Sequence, residues 1–408
     1  MKASTSLLRR DIDDERPDQD RVGFVELFFD LVFVFAVTQL SHALLDNLTP
    51  GGGLRIAILV TAVWWVWINT TWATNRLDVE RLPVRFAIFA MMAAGLVLAM
   101  AIPKAFDTRG LFFAGAFVAM QLGRSLFLLC AVRGQDADQA SHFRRVCVWT
   151  ALSAIPWITG GFSGGETRLA LWGLAILIEA AAPAIGFRVP GLGRSSLRDG
   201  GVSGEHMAER CALFVIIALG ESILVTGATH ADLDWSGLSF AALGTAFAGS
   251  LALWWIYFAI GARQASQRIA ESGEPGRLAR NAYTYLHLPI IAGIIVSAAS
   301  DEIVIEHPGG AVKTAEAIAI TGGAALYLLG AALFKHATAA IRFPVSHLAG
   351  IGVLGAAFVS RGWHSPLSLA MTVTAILIGV AAWEAWALRH IDPDAGAGEN
   401  GIVTEPSA

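Results

Sequence analysis

Blocks of about twenty apolar residues recur from one end of this chain to the other, and few folds can accommodate them. A hydrocarbon layer about 30 Å thick is crossed by one helix of that length. Of 408 residues, 55% are hydrophobic and 15% charged. Water-soluble domains carry roughly a quarter charged residues, so these blocks are not the core of a soluble protein. They also lack the short alternating segments of a membrane barrel, and lipid leaves the helix as the remaining way to satisfy the backbone.

The pattern predicts spans at 23–45, 54–74, 83–102, 109–132, 143–163, 167–187, 205–228, 238–262, 279–300, 311–334, 343–360 and 365–388. The expected fold class is all-α: a polytopic transmembrane bundle of about twelve helices. Residues 1–22 form a charged N-terminal tail without the apolar core and cleavage site of a signal peptide, so the first span is expected to be retained. A first six-helix half (23–187) and a second (205–388) flank a Gly- and Arg-rich linker at 188–204. The tail at 389–408, rich in Gly, Asp and Glu, is too poor in apolar residues to fold.

Lys and Arg fix the expected direction, because cytoplasmic connections retain them. The N-terminal tail, the even-numbered connections and the C-terminal tail together hold twenty-one, against six on the opposite side. Both termini are therefore expected in the cytoplasm. An internal repeat is also visible. LVFVFAVTQLS from Leu31 lies over LFVIIALGESI from Leu213, and VWWVW from Val63 over LWWIY from Leu253. AGLVLA from Ala94 matches AGIIVS from Ala292, LGRSLF from Leu122 matches LGAALF from Leu329, and AILIEAAA from Ala175 matches AILIGVAA from Ala375. Halves with an even number of spans would be parallel repeats about an axis normal to the membrane.

Polar groups deep in such spans are costly and mark function or helix clamping. Glu26 and Asp30 share one face of the first span. For Glu26 the bland reading is an interfacial carboxylate favoured by the helix dipole. Asp30 lies a turn deeper, with Arg210 or Arg124 as its expected charge partner, either as a clamp between halves or as part of a transport path. The seventh span, EHMAERCALFVIIALGES, pairs Glu205 with Glu209 and His206 with Arg210 at a spacing of four residues, which makes Glu209 and Arg210 charge-pairing candidates. Further along, Glu221 overlays Gln39 in the repeat. It reads either as an ion or proton site or as helix glue bonded to Ser222, Gln39 or His42. Glu179, followed by Pro183, and Tyr285 and His287, followed by Pro289, are the other pathway candidates, since a proline frees a carbonyl that can line a cavity. Glu384 reads as interfacial, and the tryptophan pairs Trp64–Trp65 and Trp254–Trp255 as packing or belt residues.

Other classes of function find little support. No basic tract points to nucleic acid, and Cys130, Cys147 and Cys211 form no CxxC pair. There is no HExxH, GxSxG or phosphate-binding loop, so neither a metal, a cofactor nor an enzymatic role is expected. The expected surroundings are the lipid bilayer, with a small ion or metabolite as the carried species.

Three segments carry a family resemblance: ELFFDLVFVFAVTQLSHAL (Glu26 to Leu44), EHMAERCALFVIIALGESIL (Glu205 to Leu224) and YLHLPIIAGII (Tyr285 to Ile295). The chain resembles the bacterial low temperature requirement protein A family over essentially its whole length. The resemblance implies a multipass protein of the bacterial inner membrane with a role in growth in the cold, and no defined substrate. The FFD of the first span is also similar to the Phe-Ser-Asp motif of potassium channels built from two six-helix repeats. Here Phe29 stands for the serine, and Ala212 stands opposite Asp30 in the second half. A secondary transporter or ion-permeation protein with a polar path between its halves is the leading expectation. A non-transporting stress or scaffold protein with structural buried charges is the rival.

Overall fold

The computed structural model describes residues 6–8, 22–195, 204–231, 233–258, 269, 272, 275–339 and 344–391. Most of the two expected tails and part of the expected linker lie outside the described residues. Twelve long helices are present: α1 (Phe24–Leu45), α2 (Pro50–Thr74), α3 (Leu82–Ala101), α4 (Gly110–Val132), α5 (Ala137–Phe162), α6 (Gly165–Ala184), α7 (Gly204–Ala231), α8 (Gly237–Phe258), α9 (His287–Glu306), α10 (Thr314–Ala339), α11 (Val345–Val359) and α12 (Pro366–Ile391). The described residues contain no strand.

Local chemistry explains where these helices start. Thr49 caps α2 by accepting the Gly52 amide at 3.1 Å, with Pro50 in the first helical position where no donor is needed. Asp136 caps α5 by accepting the amides of Asp138 and Gln139, each at 2.9 Å. Gly134, at φ +85°, supplies the left-handed turn that separates α4 from α5.

Eleven of the twelve helices are long and apolar enough to cross a membrane. The exception is α5, which carries Arg144 and Arg145 in its first half. Arg145 is buried there and donates to Ser141, Ser195 and the Leu192 carbonyl. Packing against α4 on one side and α6 on the other keeps α5 within the bundle.

The ninth span departs most from expectation. Instead of running over 279–300, it begins with a short turn (Pro275–Ala279), widens into a π-helical turn (Arg280–Tyr285) and continues as α9 to Glu306. Pro289 has no N–H for the Tyr285 carbonyl and its ring crowds that carbonyl, so a regular helix cannot run through it. The wide turn absorbs the mismatch. The His287 imidazole then donates from Nδ1 to the Ala282 carbonyl at 2.9 Å, satisfying a group the irregular turn leaves free. As a result Asp301 and Glu302 lie inside α9 rather than beyond it.

Much of the packing recurs in order, although the second half adds the pairs α8–α9, α9–α12 and α10–α12, which have no comparable counterpart in the first. In the first half α1 packs on α2 and α3, α2 on α4 and α6, α3 on α4, α4 on α5, and α5 on α6. In the second half α7 packs on α8 and α9, α8 on α10 and α12, α9 on α10, α10 on α11, and α11 on α12. Between the halves, α1 meets both α7 and α9. These three helices contact one another and run in the same direction, so their N-terminal ends lie together at one end of the bundle and their C-terminal ends at the other.

Candidate functional site

At the N-terminal ends, two pairs of side chains one turn apart face each other across the halves: Glu26 and Asp30 on α1, His206 and Arg210 on α7. Arg210 grips Asp30 with both terminal nitrogens, Nη1 to Oδ2 at 2.7 Å and Nη2 to Oδ1 at 2.8 Å. Trp67 of α2 donates its indole N–H to the same Oδ1 at 2.8 Å, and the guanidinium lies 5.4 Å from the centre of the Trp67 ring. His206 Nε2 lies 3.2 Å from Glu26, which also accepts the Gly23 amide at 3.0 Å. The other His206 nitrogen meets the Asn75 amide group at 3.2 Å. Asp30, His206 and Arg210 are each 0% exposed. Taking such ions out of water costs several kcal/mol each, and the two-pronged Arg–carboxylate geometry is what offsets it. One contact is loose: Arg210 Nε and Glu26 Oε1, both buried and without a hydrogen bond, face each other at 4.0 Å.

An aromatic layer covers this lock. Phe214 of α7 stands 4.3 Å from Trp67, 5.6 Å from Trp64 and 6.4 Å from Phe33, measured between ring centres. Trp64 is tied to the π-helical turn, donating to the Thr284 carbonyl at 2.7 Å. His287 lies parallel to Trp64 at 6.3 Å, and its Nε2 accepts from the Tyr257 hydroxyl at 2.9 Å.

At the C-terminal ends, carboxylates gather. Glu221 of α7 is buried and faces Thr38 and His42 of α1. Ser222 reaches Asp301 of α9 at 3.3 Å and Ser250 of α8 at 3.4 Å. Glu302 stands 3.9 Å from His42, which is exposed. Glu302 Oε2 is buried without a hydrogen-bond partner among the described residues. Among the described residues the basic group facing Glu221 and Glu302 is His42, and Asp301 faces the Ser222 hydroxyl, whereas at the opposite end each carboxylate has a strong cationic or N–H partner. Among the described residues, no three His, Cys, Asp or Glu side chains converge as a metal ion would need.

The remaining candidates divide among other places. Arg124 is not the partner of Asp30. It donates to the Gln121 carbonyl oxygen, and Gln121 in turn donates to Glu179 at 2.6 Å. Glu179 also accepts from Ser153 at 2.8 Å and Trp157 at 3.2 Å, so it knits α4, α5 and α6 within the first half. Glu209 is exposed and, among the described residues, accepts the Val22 amide at 3.3 Å rather than pairing with Arg210. Gln39 is half-buried on α1, and Tyr285 bonds the Ala180 carbonyl at 3.0 Å. Glu221 does not share a bond with Ser222, whose hydroxyl turns to Asp301.

Four features escaped the sequence reading. Trp67 carries the third bond to Asp30, and no residue pattern points to it. Asp301 and Glu302 were set beyond the end of their helix, although the apolar run Ile303 to Ile305 that follows them is a legible sign that the helix continues. Glu384 is not solvated: it is buried and clasped by Lys335 of α10 through both oxygens at 2.7 Å. Arg168, at the start of the sixth expected span, is buried against Trp172 with its N–H groups on the carbonyls of Gly160, Ala105 and Asp107.

Comparison with known proteins places these features in a family. The chain is 40% identical over 378 residues to an uncharacterized protein of Rhizobium meliloti (strain 1021), covering 92% of each. No solved structure matches. The sequence profile of the bacterial low temperature requirement A protein matches residues 21–382, spanning the lock, the aromatic layer and the carboxylates beyond it. The chain is a membrane protein and belongs to the bacterial low temperature requirement A protein family.

Proposed function

We propose that this protein is a secondary transporter or ion-permeation protein of the bacterial inner membrane, moving a small cation or proton along the interface of α1, α7 and α9. Both termini lie in the cytoplasm in this reading, in keeping with the Lys and Arg distribution. The recurring packing order of the two halves is read as an internal duplication, with the path between parallel repeats. The observation that carries the proposal is the gathering of Glu221, Asp301 and Glu302 at one end of the path, where among the described residues His42 is the basic group beside Glu221 and Glu302, and Asp301 meets the Ser222 hydroxyl. Carboxylates inside apolar helices are expensive, and a weakly compensated group of them suits transient cation or proton binding. Asp30 and Arg210, paired through two hydrogen bonds and dry, act as the inner lock rather than as the ion site.

The dryness of that lock also favours a second reading, a non-transporting membrane protein whose charges fix its helices. Flux into proteoliposomes separates the two. With imposed H⁺, Na⁺ or K⁺ gradients, the native protein carries at least one of these ions. Glu221→Gln and Asp301→Asn reduce that flux at least about tenfold while eluting as folded protein. Absence of flux for all three ions, or variants that match the native rate, defeats the transport reading.

A further inference from the structure

Between α2, α3 and α4, away from the path just described, lies a cavity of about 340 Å³. That is within the size range of small-molecule sites. Its walls are apolar, from Ile88, Met91, Met120 and Phe127, with one cation among them: Arg124, only 8% exposed. The mouth between α3 and α4 is edged by the small residues Ala90, Ala119 and Gly123, all exposed on the outer surface of the bundle. Such a surface faces acyl chains, so the cavity opens sideways into the bilayer.

Arg124 differs from the other buried cations, of which Arg145 and Arg168 each spread their N–H groups over at least three neutral oxygens. Arg210 and Lys335 are each in contact with a carboxylate at 2.7 Å. Arg124 makes no ion pair within 4.0 Å among the described residues: its hydrogen bonds go to the neutral Gln121 and Thr70, the latter at 3.4 Å, and the Glu179 carboxyl acts on it from beyond Gln121. A guanidinium has five N–H donors, and these two neutral acceptors leave capacity for more. A buried, permanently charged group with donors to spare, in an apolar chamber open to lipid, calls for an anion carried on a hydrocarbon tail.

We propose that this cavity is a binding site for an anionic membrane lipid, whose phosphate meets Arg124 and whose acyl chain leaves between α3 and α4. Depth agrees with this. Arg124 is eight residues from the end of α4 at Val132, about 12 Å along the helix, a distance that a long side chain and a locally drawn-in headgroup share between them. The site lies inside the first half and does not involve Glu221, Asp301 or the lock, so it stands or falls independently of transport.

The test uses the full-length protein in detergent, titrated with dioleoylphosphatidylglycerol and read by native mass spectrometry, with dioleoylphosphatidylcholine and inorganic phosphate as comparison arms. Phosphatidylglycerol binds at least about tenfold more tightly than phosphatidylcholine, as expected for a charge-assisted contact. Arg124→Gln removes that preference. Gly123→Leu provides a second variant that keeps the charge: a Cβ added at Gly123 meets nothing within 4 Å, so the backbone accepts a side chain there, and the leucine narrows the mouth and weakens binding of both lipids. Equal affinity for the two lipids in the native protein overturns the proposal. So does a preference that survives Arg124→Gln, or inorganic phosphate that displaces the lipid at equal concentration.

Discussion

Replacing Asp30 with Asn keeps the shape of the side chain and removes the charge that faces Arg210. The guanidinium then sits 0% exposed with no carboxylate in hydrogen-bond contact; the next, Glu26 Oε1, is 4.0 Å from its Nε. Removing one partner of a buried pair typically costs about 3–5 kcal/mol, because the other is left uncompensated. Residual attraction to Glu26 sets the expectation at the lower end, about 3 kcal/mol, or more than a hundredfold in the unfolding equilibrium. The double variant Asp30→Asn/Arg210→Gln removes both charges and regains at least half of that loss, since buried pairs often compare poorly with neutral replacements. Equilibrium unfolding in mixed dodecylmaltoside–SDS micelles, followed by tryptophan fluorescence, measures each difference. Added salt leaves the coupling unchanged, because the pair is shielded from counterions. If the Asp30→Asn variant loses less than about 1 kcal/mol, or if the two single losses simply add, the lock is not the strong dry pair described.

Three further expectations concern other parts of the bundle. Glu179→Ala strands the donors of Gln121, Ser153 and Trp157 and costs about 2–4 kcal/mol in the same unfolding assay, whereas Glu179→Gln, which keeps an acceptor, costs less than half of this. Gly330 of α10 lies against α9 so closely that a Cβ there would come within 2.7 Å of the Ile290 nitrogen, so Gly330→Ala destabilises by about 1–3 kcal/mol, while the same change at Gly352, with nothing within 4 Å, is neutral or better. The backbone amides of Gln139 and Asp138 hold the Asp136 carboxyl below its ordinary range. A lowered folded-state value means that the cap's contribution, about 1 kcal/mol relative to Asp136→Ala, is fully present at neutral pH and shrinks as pH falls through that value. A difference between the two proteins that is constant down to strong acid would contradict it.

The spans were largely legible because lipid demands long apolar runs whatever their neighbours do; α1, expected at 23–45, runs over Phe24–Leu45. Irregular backbone was not. The displacement of α9 follows from how the chain widens ahead of Pro289, and this moved Asp301 and Glu302 from a presumed loop into the bundle. Depth alone suggested both Arg210 and Arg124 as partners for Asp30. The choice between them depends on α1 packing against α7 across the halves, which a one-dimensional pattern does not encode. Pairs such as Lys335–Glu384 were missed for a related reason. Each residue sits near a helix end, where charge is normally solvated, and only the approach of α10 to α12 shows that both are buried.

Cys211, next to Arg210 and buried, offers a native reporter of whether the lock opens while the protein works. With Cys130 and Cys147 replaced by serine, Cys211 is the remaining thiol of the chain, and its labelling rate by a maleimide can be followed in proteoliposomes. If α1 and α7 separate during transport, Cys211 is labelled slowly at rest, at least about tenfold faster under an ion gradient that drives flux, and fast without any gradient in Asp30→Asn. Flux that proceeds while Cys211 stays protected at its resting rate would contradict a path between the halves.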